Sequence, residues 1–318
     1  MQAKKHEYLV LGSRGLVGSA VVRQLISAGK DFYGATRADA DITDATSIDS
    51  LISNVQPRVV IAAAARVGGL IANHRYPVEF LEDNVVGQTF LMRSAHKHDV
   101  ERFVFLGSSC IYPRDAKQPI SESSLLTGEL EVTNEAYAIA KIAGLKLVQS
   151  YRREYGRKWI SVMPTNLFGI NDNFDLETSH ALPALMRKFH EAKVNGRPCV
   201  ELWGSGKPQR EFMFSDDFAK ALLFVIDRYD SDEPINIGTG TDISIRDLSD
   251  LMIRVTGYEG GVNWNQDIPD GTFRKLLDTS KLTALGWKSG IDLEKAVQET
   301  YNWFKSNYGS ARLSVQVK

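Results

Sequence analysis

The sequence predicts an α/β protein, with a parallel sheet covered by helices on both faces and a smaller, less regular α/β region after it. Short apolar runs alternate with longer amphipathic stretches through the first half of the chain. Strands and helices alternate in this way when a sheet is parallel and buried on both faces. Beyond Pro164 this rhythm breaks into sequence punctuated by proline and glycine. A length of 318 residues agrees with the division, because it is enough for about two domains.

The elements of the first half follow from these runs. The predicted strands are the short apolar ones: Tyr8–Leu11, Phe32–Ala35, Val59–Ala62, Arg102–Leu106 and Trp159–Met163. The predicted helices are the longer amphipathic ones: Leu16–Ala28, Ser47–Asn54, Glu79–His98 and Tyr137–Tyr155. Gly29 follows the first of these helices directly, as is typical where a helix ends.

The second half has fewer clear elements, and no internal repeat marks it as a solenoid. Helices are predicted at Leu182–Val194, Ser244–Thr256 and Leu293–Asn307. Cys199–Trp203 is predicted to be extended, and Pro234–Gly240 to be a strand that runs into a glycine turn. These segments predict a smaller α/β region that packs on the first.

Composition and charge exclude several classes of protein. With 43% hydrophobic and 24% charged residues the chain is an ordinary globular one, which argues against disorder, collagen and coiled coil. A net charge of −1 gives no reason to expect a nucleic acid or an acidic membrane as partner. Two cysteines cannot form a disulfide framework, which indicates a reducing compartment.

Nothing in the sequence predicts a membrane segment or a secretory signal. The apolar run Val59–Ala65 is far shorter than the roughly 20 residues that cross a bilayer. The start, Met1–Glu7, is polar and lacks the apolar stretch of a signal peptide. We therefore expect a cytoplasmic protein without nucleic-acid or membrane partners.

A glycine loop follows the first strand directly. Gly12, Gly15 and Gly18 are spaced as G-x-x-G-x-x-G and lead into the first predicted helix. Glycines at this place allow a tight turn and a close approach of backbone to a pyrophosphate, and the helix N-terminus favours an anion. The loop therefore predicts a dinucleotide site and a Rossmann-type doubly wound sheet. A tight turn without a ligand is the alternative.

The end of the second strand indicates which dinucleotide binds. An acidic residue there would bind the 2′-hydroxyl of NAD, whereas this strand ends in Thr36 and Arg37. A guanidinium suits the 2′-phosphate of NADP, and Arg14 in the glycine loop is a second candidate. We expect NADP(H), while Asp39 and Asp41 nearby keep NAD open as an alternative.

A serine, a tyrosine and a lysine form the candidate catalytic set. Tyr137 and Lys141 are four residues apart on one predicted helix and therefore share a face. A nearby ammonium is expected to lower the pKa of the phenol, so that tyrosine can act in acid–base catalysis. Ser108 follows the fourth strand, at the end where open α/β sheets bind ligands, and its hydroxyl can hold a carbonyl oxygen.

The glycine loop, the serine and the Tyr-x-x-x-Lys pair resemble the extended type of the short-chain dehydrogenase/reductase superfamily over essentially the whole chain. Further segments make the chain similar to the GDP-L-fucose synthase family: Gly12–Ser19, Ala64–Gly69, Leu106–Pro113, Pro164–Gly169, Ser179–His180, Trp203–Gly206, Arg210–Phe212, Pro269–Gly271 and Arg274–Asp278. This resemblance implies a bifunctional enzyme that epimerises GDP-4-keto-6-deoxy-D-mannose at C3 and C5 and reduces it at C4 with NADPH.

The resemblance also implies roles for single residues. Cys110 and His180 would carry the epimerisations, with Ser108, Tyr137 and Lys141 carrying the reduction. A thiol and an imidazole suit this work because both can titrate near neutral pH. The implied contacts of the cofactor are Gly12, Ser13, Arg14, Gly15, Leu16, Val17, Gly18, Arg37, Leu106, Gly107, Ser108, Ser109, Tyr137, Lys141, Pro164, Thr165, Asn166, Leu167 and His180. The implied contacts of the GDP-sugar are Ser108, Cys110, Asn166, Lys188, Trp203, Arg210 and Asp270.

The resemblance further implies a division of the chain and a dimer. Residues 1–168 would bind NADP, with return segments at about 211–240, and residues 169–318 would bind the GDP-sugar. The helices around 79–98 and 137–155 would form the interface of a homodimer. Whether Arg187 or Lys188 contacts the substrate stays open, and the second cysteine, Cys199, is expected to serve in packing.

Two other functions remain possible on this fold. One is another extended-family nucleotide-sugar epimerase or dehydratase. A dehydratase is expected to carry an acidic residue close to the serine, where this chain has Cys110 and Ile111. The other is a non-catalytic protein that senses NADP, since a fold alone does not establish catalysis.

Overall fold

A computed structural model describes residues 5–267 and 270–314 of the chain, with Leu70 described by its backbone only. The polar start at residues 1–4 and Pro269 of the Pro269–Gly271 motif lie outside the described residues. The strands are β1 (Tyr8–Leu11), β2 (Phe32–Ala35), β3 (Val59–Ala62), β4 (Arg102–Leu106), β5 (Ile160–Pro164), β6 (Asn166–Phe168), β7 (Cys199–Trp203), β8 (Gln209–Arg210), β9 (Phe212–Phe214), β10 (Ile235–Ile237), β11 (Ile243–Ser244), β12 (Gly261–Asn265) and β13 (Arg274–Lys275).

Helices occupy most of the chain between these strands. They are α1 (Leu16–Ser27), α2 (Ala45–Val55), α3 (Leu70–Arg75), α4 (Pro77–Lys97), α5 (Glu135–Tyr155), α6 (Ala181–Val194), α7 (Ser215–Arg228), α8 (Ile245–Thr256), α9 (Ser280–Ala284) and α10 (Leu293–Ser306). Short 3₁₀ turns at Ser109–Ile111, Glu122–Ser124 and Val132–Asn134 complete the connections.

The central sheet confirms the predicted fold class. Six parallel strands lie in the order β10-β5-β4-β3-β1-β2. The chain therefore proceeds outward from β1 in both directions, and the crevice beyond the carboxyl ends of β1 and β3 is the switch point of a doubly wound sheet. Five of these strands come from the first half of the chain, and the sixth, β10, lies within the strand predicted at Pro234–Gly240.

The two faces of the sheet are buried against different helices. In β1, Leu9 and Leu11 belong to one apolar core, whereas Tyr8 and Val10 belong to the other, because successive side chains of a strand alternate between faces. Residues of α2, α4 and α5 cover the first face, and residues of α1 and α7 cover the second. A third core lies in the C-terminal half, among residues of α6, α8 and α10.

Helix α7 was missed in the sequence. It returns to the first half of the fold, where Phe218 and Leu222 join the second core of the central sheet. Arg23 of α1 donates two hydrogen bonds to Asp216 of α7, at 2.8 and 2.6 Å. A bidentate pair of this kind fixes the orientation of two helices as well as their distance.

Helix ends follow local side-chain caps. Asp44 accepts hydrogen bonds from the backbone N–H groups of Thr46 and Ser47, so α2 begins at Ala45, two positions before the predicted start. Ser244 caps α8 in the same way and therefore lies outside the helix that was predicted to include it. Within the described residues, no helix is both long and apolar enough to cross a membrane.

The carboxylate of Glu211 joins two separate segments in the interior. Glu211 is fully buried between β8 and β9, and its Oε1 accepts hydrogen bonds from the backbone N–H groups of Thr239 and Gly240, at 2.6 and 2.7 Å. Its Oε2 accepts from the N–H of Leu277 at 3.1 Å. The turn after β10 and the segment after β13 are thereby held against one side chain.

We predict that Glu211→Gln lowers the free energy of unfolding by about 2–4 kcal/mol, because the amide NH₂ would face backbone N–H donors and leave them unpaired. Urea unfolding followed by circular dichroism measures the change. Glu259→Gln, at an exposed position, is the control and should leave stability within about 0.5 kcal/mol of the parent. Equal stability of the two variants would contradict the role given to Glu211.

Candidate active site

The glycine loop is shaped by close backbone contacts. Gly12 has φ +73°, and a Cβ there would lie 2.8 Å from the carbonyl oxygen of Ala63. A Cβ on Gly18 would lie 2.1 Å from the carbonyl oxygen of Gly12, so both positions require glycine. Gly15 precedes α1 without a side-chain cap, which leaves N–H groups at the helix N-terminus open toward an anion.

The acidic residues after β2 are engaged in local hydrogen bonds. Asp39 Oδ2 accepts from the backbone N–H and the hydroxyl of Thr36, at 2.8 and 2.7 Å, and Oδ1 accepts from the Tyr33 hydroxyl. Asp41 accepts from the N–H and hydroxyl of Thr43, at 2.9 and 2.8 Å. These hydrogen bonds lower the pKa of both carboxyl groups and hold them in the turn.

The arginines beside them face solvent. The side chain of Arg37 is 88% exposed and lies 3.5 Å from Asp41. Arg14, in the glycine loop, is also exposed, and its charge helps to lower the pKa of Asp39. An exposed ion pair contributes little stability, so both guanidinium groups remain able to bind a phosphate.

Ser108, Tyr137 and Lys141 meet beyond the carboxyl end of β4. Lys141 is buried, and its Nζ donates to the carbonyl oxygen of Leu106 at 2.9 Å and lies 5.7 Å from the centre of the Tyr137 ring. Burial lowers the pKa of Lys141 to about 8. Burial also raises the pKa of Tyr137, with the charge of Cys110 acting in the same direction and a Ser108 hydrogen bond acting against it.

The prediction for the pKa of Tyr137 is wrong for the chain without bound ligands. Lys141 was expected to lower the pKa of Tyr137, yet burial determines that pKa and Lys141 is not among its causes. The phenol therefore keeps its proton at neutral pH. In that state Tyr137 is a proton donor.

Cys110 and His180 approach the same ammonium group. Cys110 is partly exposed in the 3₁₀ turn after Ser108, and its Sγ accepts from Asn134 Nδ2 at 3.4 Å and from Lys275 Nζ at 3.6 Å. His180 directly precedes α6, and partial loss of hydration, followed by the charge of Lys275, lowers its pKa. Asn134 and Lys275 were not predicted as site residues, although Lys275 lies inside the Arg274–Asp278 motif.

Two segments at neighbouring strand ends form the floor of the crevice. Leu106–Ser109 begins at the last residue of β4, and Pro164–Leu167 begins at the last residue of β5, its neighbour in the sheet, and runs into β6. Asn166 Nδ2 and the hydroxyl of Thr165 both donate to the carbonyl oxygen of Glu211, at 2.8 and 3.3 Å. The crevice floor is thus tied to the same buried residue that joins the turn after β10 and the segment after β13.

The structure distinguishes Arg187 from Lys188. Arg187 Nε donates to Glu191 at 2.6 Å, and its Nη1 donates to the carbonyl oxygens of Phe174 and Leu313. Lys188 Nζ lies 5.0 Å from the centre of the half-exposed Trp203 ring. Arg187 therefore links α6 to neighbouring backbone segments, whereas Lys188 faces an aromatic surface that a ligand can reach.

Arg210 and Asp270 lie at the same end of the molecule as this aromatic surface. Burial lowers the pKa of Arg210, and the charge of Asp270 partly offsets it. Asp270 accepts from the N–H and hydroxyl of Ser205, at 2.8 and 2.6 Å, and so fixes the turn after β7. Cys199 of β7 is exposed, so its expected packing role was wrong. No cluster of metal-ligating side chains occurs among the described residues.

Asp172 is an unusual carboxyl group in the loop that leads to His180. It is 4% exposed, its Oδ1 accepts from the N–H of Asn173, and its Oδ2 has no hydrogen-bond partner among the described residues. Burial raises its pKa to about 7, although the charge of Arg312 acts against this shift. The neighbouring Asn171 donates to the Ser19 hydroxyl of α1 at 3.1 Å, so the loop rests on the glycine-loop helix.

We predict that Asp172 makes stability fall as the pH rises from about 4 to about 7. Over this range the unfolded chain releases the proton of Asp172 while the folded chain retains it. The free energy of unfolding therefore falls by about 4 kcal/mol at most. Asp172→Asn should flatten this part of the stability–pH curve in urea titrations. The exposed Asp250→Asn is the control, and equal slopes for both variants would contradict the prediction.

Comparison with known proteins agrees with this geometry. The model of the NAD dependent epimerase/dehydratase family matches residues 8–238, and fold and site together define an extended short-chain dehydrogenase/reductase. GDP-L-fucose synthase 1 of Arabidopsis thaliana is 51% identical over 308 residues, which cover 96% of this chain and 95% of that protein. GDP-L-fucose synthase of Escherichia coli (strain K12) is 46% identical over 313 residues, with 95% and 98% covered.

A solved structure extends the comparison to the whole fold. A crystal structure of a GDP-L-fucose synthetase from Naegleria fowleri bound to NADP has a TM-score of 0.90 and 32% identity, covering 98% of this chain and 96% of that one. The chain belongs to the NAD dependent epimerase/dehydratase family and, within it, to the GDP-L-fucose synthases.

Proposed function

We propose that this enzyme converts GDP-4-keto-6-deoxy-D-mannose to GDP-L-fucose, by epimerisation at C3 and C5 and NADPH-dependent reduction at C4. The observation that carries the proposal is that one crevice holds two chemical sets. Ser108, Tyr137 and Lys141 suit reduction of a ketone, and Cys110 and His180 suit proton transfer at its neighbouring carbons. The related GDP-L-fucose synthases support the same substrate.

The chain fits NADP(H) as its cofactor. Gly12 and Gly18 have no room for a Cβ beside the carbonyl oxygens of Ala63 and Gly12, so the loop makes the tight glycine turn that a pyrophosphate site requires. Arg14 and Arg37 present exposed guanidinium groups for the 2′-phosphate, while the carboxylate of Asp39 accepts a hydrogen bond from the backbone of Thr36 in the same turn. When bound, NADPH supplies hydride for the C4 carbon. The remaining contacts proposed are the glycine-loop residues Ser13, Gly15, Leu16 and Val17, the strand-end segments Leu106–Ser109 and Pro164–Leu167, and the site residues Tyr137, Lys141 and His180.

Reduction at C4 uses the protonated phenol. The Ser108 hydroxyl orients the ketone oxygen, and Tyr137 donates its proton to that oxygen as negative charge develops there. Lys141 lies beside the Tyr137 ring, and we assign it to contact with the bound cofactor rather than to the pKa of the phenol. The proton is thus supplied by a group that burial keeps in its acid form.

Epimerisation uses the acidity that the ketone gives to its neighbours. The C4 ketone stabilises the enolates formed when a proton leaves C3 or C5, and inversion needs a base on one face and an acid on the other. Cys110 and His180 are the proposed pair, one from the turn after β4 and the other from the start of α6. Because they come from different halves of the chain, the sugar is expected to bind between them.

The nucleotide part of the substrate is assigned to the C-terminal half. We propose Lys188 and Arg210 as partners of the pyrophosphate, Trp203 as a packing surface, and Asp270 and Asn166 as further contacts. Lys188 rather than Arg187 is proposed, because Arg187 is engaged with Glu191.

The proposal includes the arrangement of the whole protein. Residues 1–168 with return segments at about 211–240 form the NADP-binding domain, and residues 169–318 form the GDP-sugar-binding domain. The enzyme acts in the cytoplasm as a homodimer, with α4 and α5 of each subunit at the interface. Contacts between α7 and α1, and between β10 and β5, support the return segments.

The enzyme's function is tested by supplying GDP-4-keto-6-deoxy-D-mannose with NADPH in D₂O and identifying the sugar nucleotide and its deuterium positions. Tyr137→Phe should slow NADPH oxidation by about 10²–10⁴-fold, because the proton donor is lost, while deuterium still enters at C3 and C5. Cys110→Ser should slow deuterium uptake and release incompletely epimerised, reduced products.

Tyr155→Phe is the matched control, since it removes a hydroxyl from the exposed end of the same helix. It should leave both rates within about twofold of the parent, as surface changes usually do. A product other than GDP-L-fucose from the parent enzyme would point to another epimerase or a dehydratase. Normal NADPH oxidation in Tyr137→Phe would overturn the role of the phenol.

Cofactor choice is predicted to depend on Arg37. Arg37→Ala should weaken NADP⁺ binding by about 10- to 100-fold, as expected for the loss of a charged phosphate contact, and should leave NAD⁺ binding unchanged. Isothermal titration with both dinucleotides measures the difference. Arg254→Ala, on the exposed face of α8, is the control. Equal weakening of NADP⁺ and NAD⁺ binding would show that Arg37 does not read the 2′-phosphate.

A further inference from the structure

Phe273 is an exposed aromatic residue on a firmly held stretch of backbone. It is 66% exposed and belongs to none of the three apolar cores formed by the described residues. Its carbonyl oxygen accepts from the N–H of Gln209 at 2.8 Å, and Arg274 beside it donates two hydrogen bonds to Asp242. The pairing of β13 with β8 thus extends to Phe273 and fixes its place.

The position of Phe273 matters more than its exposure, since apolar atoms form much of any protein surface. Phe273 lies two residues before Lys275 in the segment that pairs with β8. Side chains two positions apart on a strand lie on the same face, and their Cα atoms are about 7 Å apart. Lys275 Nζ lies 3.6 Å from Cys110 Sγ in the crevice. The side chain of Phe273 therefore faces the crevice, next to Lys275.

The guanidinium of Arg210 is the other neighbour of this position. Arg210 pairs with Lys275 in the register of β8 and β13, so the two side chains share a face. A Cβ on Gly271 would lie 3.6 Å from Arg210 Nη2, which places the guanidinium beside the segment that leads to Phe273. Phe273 thus lies between the group proposed for the pyrophosphate and Cys110 at the reacting carbons. The hexose that joins these two parts of the substrate occupies the same interval.

A 6-deoxy hexose offers an apolar surface to such a ring. Its C6 is a methyl group, and C–H bonds cover the adjoining part of the sugar. Phe273 has no polar side-chain atom, so it stabilises a ligand by removing apolar surface from water. A 6-hydroxyl placed against the ring would lose water without gaining a hydrogen bond, which is unfavourable.

We propose that Phe273 is a substrate-contact residue that packs against the hexose on the side of the C6 methyl, and that it favours 6-deoxy sugars over sugars with a 6-hydroxyl. The inference rests on the proposed function and deepens it, because it assigns a residue to recognition of C6. The contact makes and breaks no covalent bond and contributes through binding alone.

Calorimetric titration of the NADP⁺-loaded enzyme separates the parts of the substrate. The three ligands are GDP, GDP-D-mannose and GDP-6-deoxy-D-mannose, which lack the reactive ketone and differ by the hexose and by one hydroxyl at C6. The parent enzyme should bind GDP-6-deoxy-D-mannose about tenfold more tightly than GDP-D-mannose, because only the second ligand places a hydroxyl against the ring.

Phe273→Ala should weaken binding of GDP-6-deoxy-D-mannose by about tenfold and reduce the preference over GDP-D-mannose to less than about threefold, because most of the apolar contact is lost. Binding of GDP should stay within about twofold of the parent. Phe273→Tyr keeps the ring and should bind all three ligands as the parent does. Val194→Ala is the control, because Val194 is 68% exposed at the end of α6, and its loss should change no affinity.

Steady-state kinetics give a second readout with the GDP-4-keto sugar and NADPH. Phe273→Ala should raise KM for the sugar nucleotide by about tenfold and change kcat much less, because a contact made equally in the ground and transition states is uniform binding. KM for NADPH should stay unchanged, whereas a general loss of structure would affect both substrates. Circular dichroism melts confirm that each variant is folded.

Equal weakening of GDP and GDP-sugar binding in Phe273→Ala would overturn the inference, because the ring would then contact the nucleotide. Unchanged affinities in Phe273→Ala, a loss of the same size in Phe273→Tyr, or a parent enzyme without preference for the 6-deoxy sugar would also overturn it. Failure of the proposed function has a different signature: the parent enzyme would form no GDP-L-fucose from the GDP-4-keto sugar, whatever the affinities of its variants.

Discussion

The arrangement of this molecule depends on the burial of one carboxylate. Glu211 lies in the interior between the two halves of the fold, and it accepts backbone hydrogen bonds from Thr239, Gly240 and Leu277. A buried carboxylate is costly unless donors surround it, so the two segments that supply these donors must keep their places if the chain is to fold. Because its own backbone oxygen accepts from Asn166, the floor of the crevice is included in the same constraint. The side chain thus relates the strand ends of one half to the short strands of the other.

Burial by this framework changes the pKa of the polar side chains in the site. Burial keeps the Tyr137 phenol protonated and makes the ammonium of Lys141 easier to discharge. Cys110, whose charge acts on Tyr137, remains partly open to solvent and in contact with a second ammonium. The two proton-transfer systems proposed for this enzyme therefore each have their own local environment.

Local sequence patterns were sufficient to predict the sheet and the glycine loop, but not the contacts between residues that are distant in the chain. The strand Tyr8–Leu11 and the glycine at position 12 can be read from neighbouring residues, because apolar runs and turn requirements are local. The contact of Cys110 with Lys275 joins positions 165 residues apart, and only the packing of β13 beside β8 creates it. The role of Glu211 was hidden for the same reason: an acidic residue in a sequence carries no sign of whether it will be buried. The motif Arg210–Phe212 contains Glu211, but only the structure shows that its carboxylate is buried and hydrogen-bonded.

The position of Trp203 gives the molecule an optical property of its own. The chain has five tryptophans, and Trp203 is the exposed one: Trp159 is fully buried and the other three are partly covered. Its indole stands beside the ammonium of Lys188 at the proposed nucleotide end of the cleft. Of the five indoles, that of Trp203 is therefore the most open to water. A purine bound there as proposed would change the surroundings of that fluorophore directly, so that occupancy of the nucleotide end could be followed by its emission without any added label.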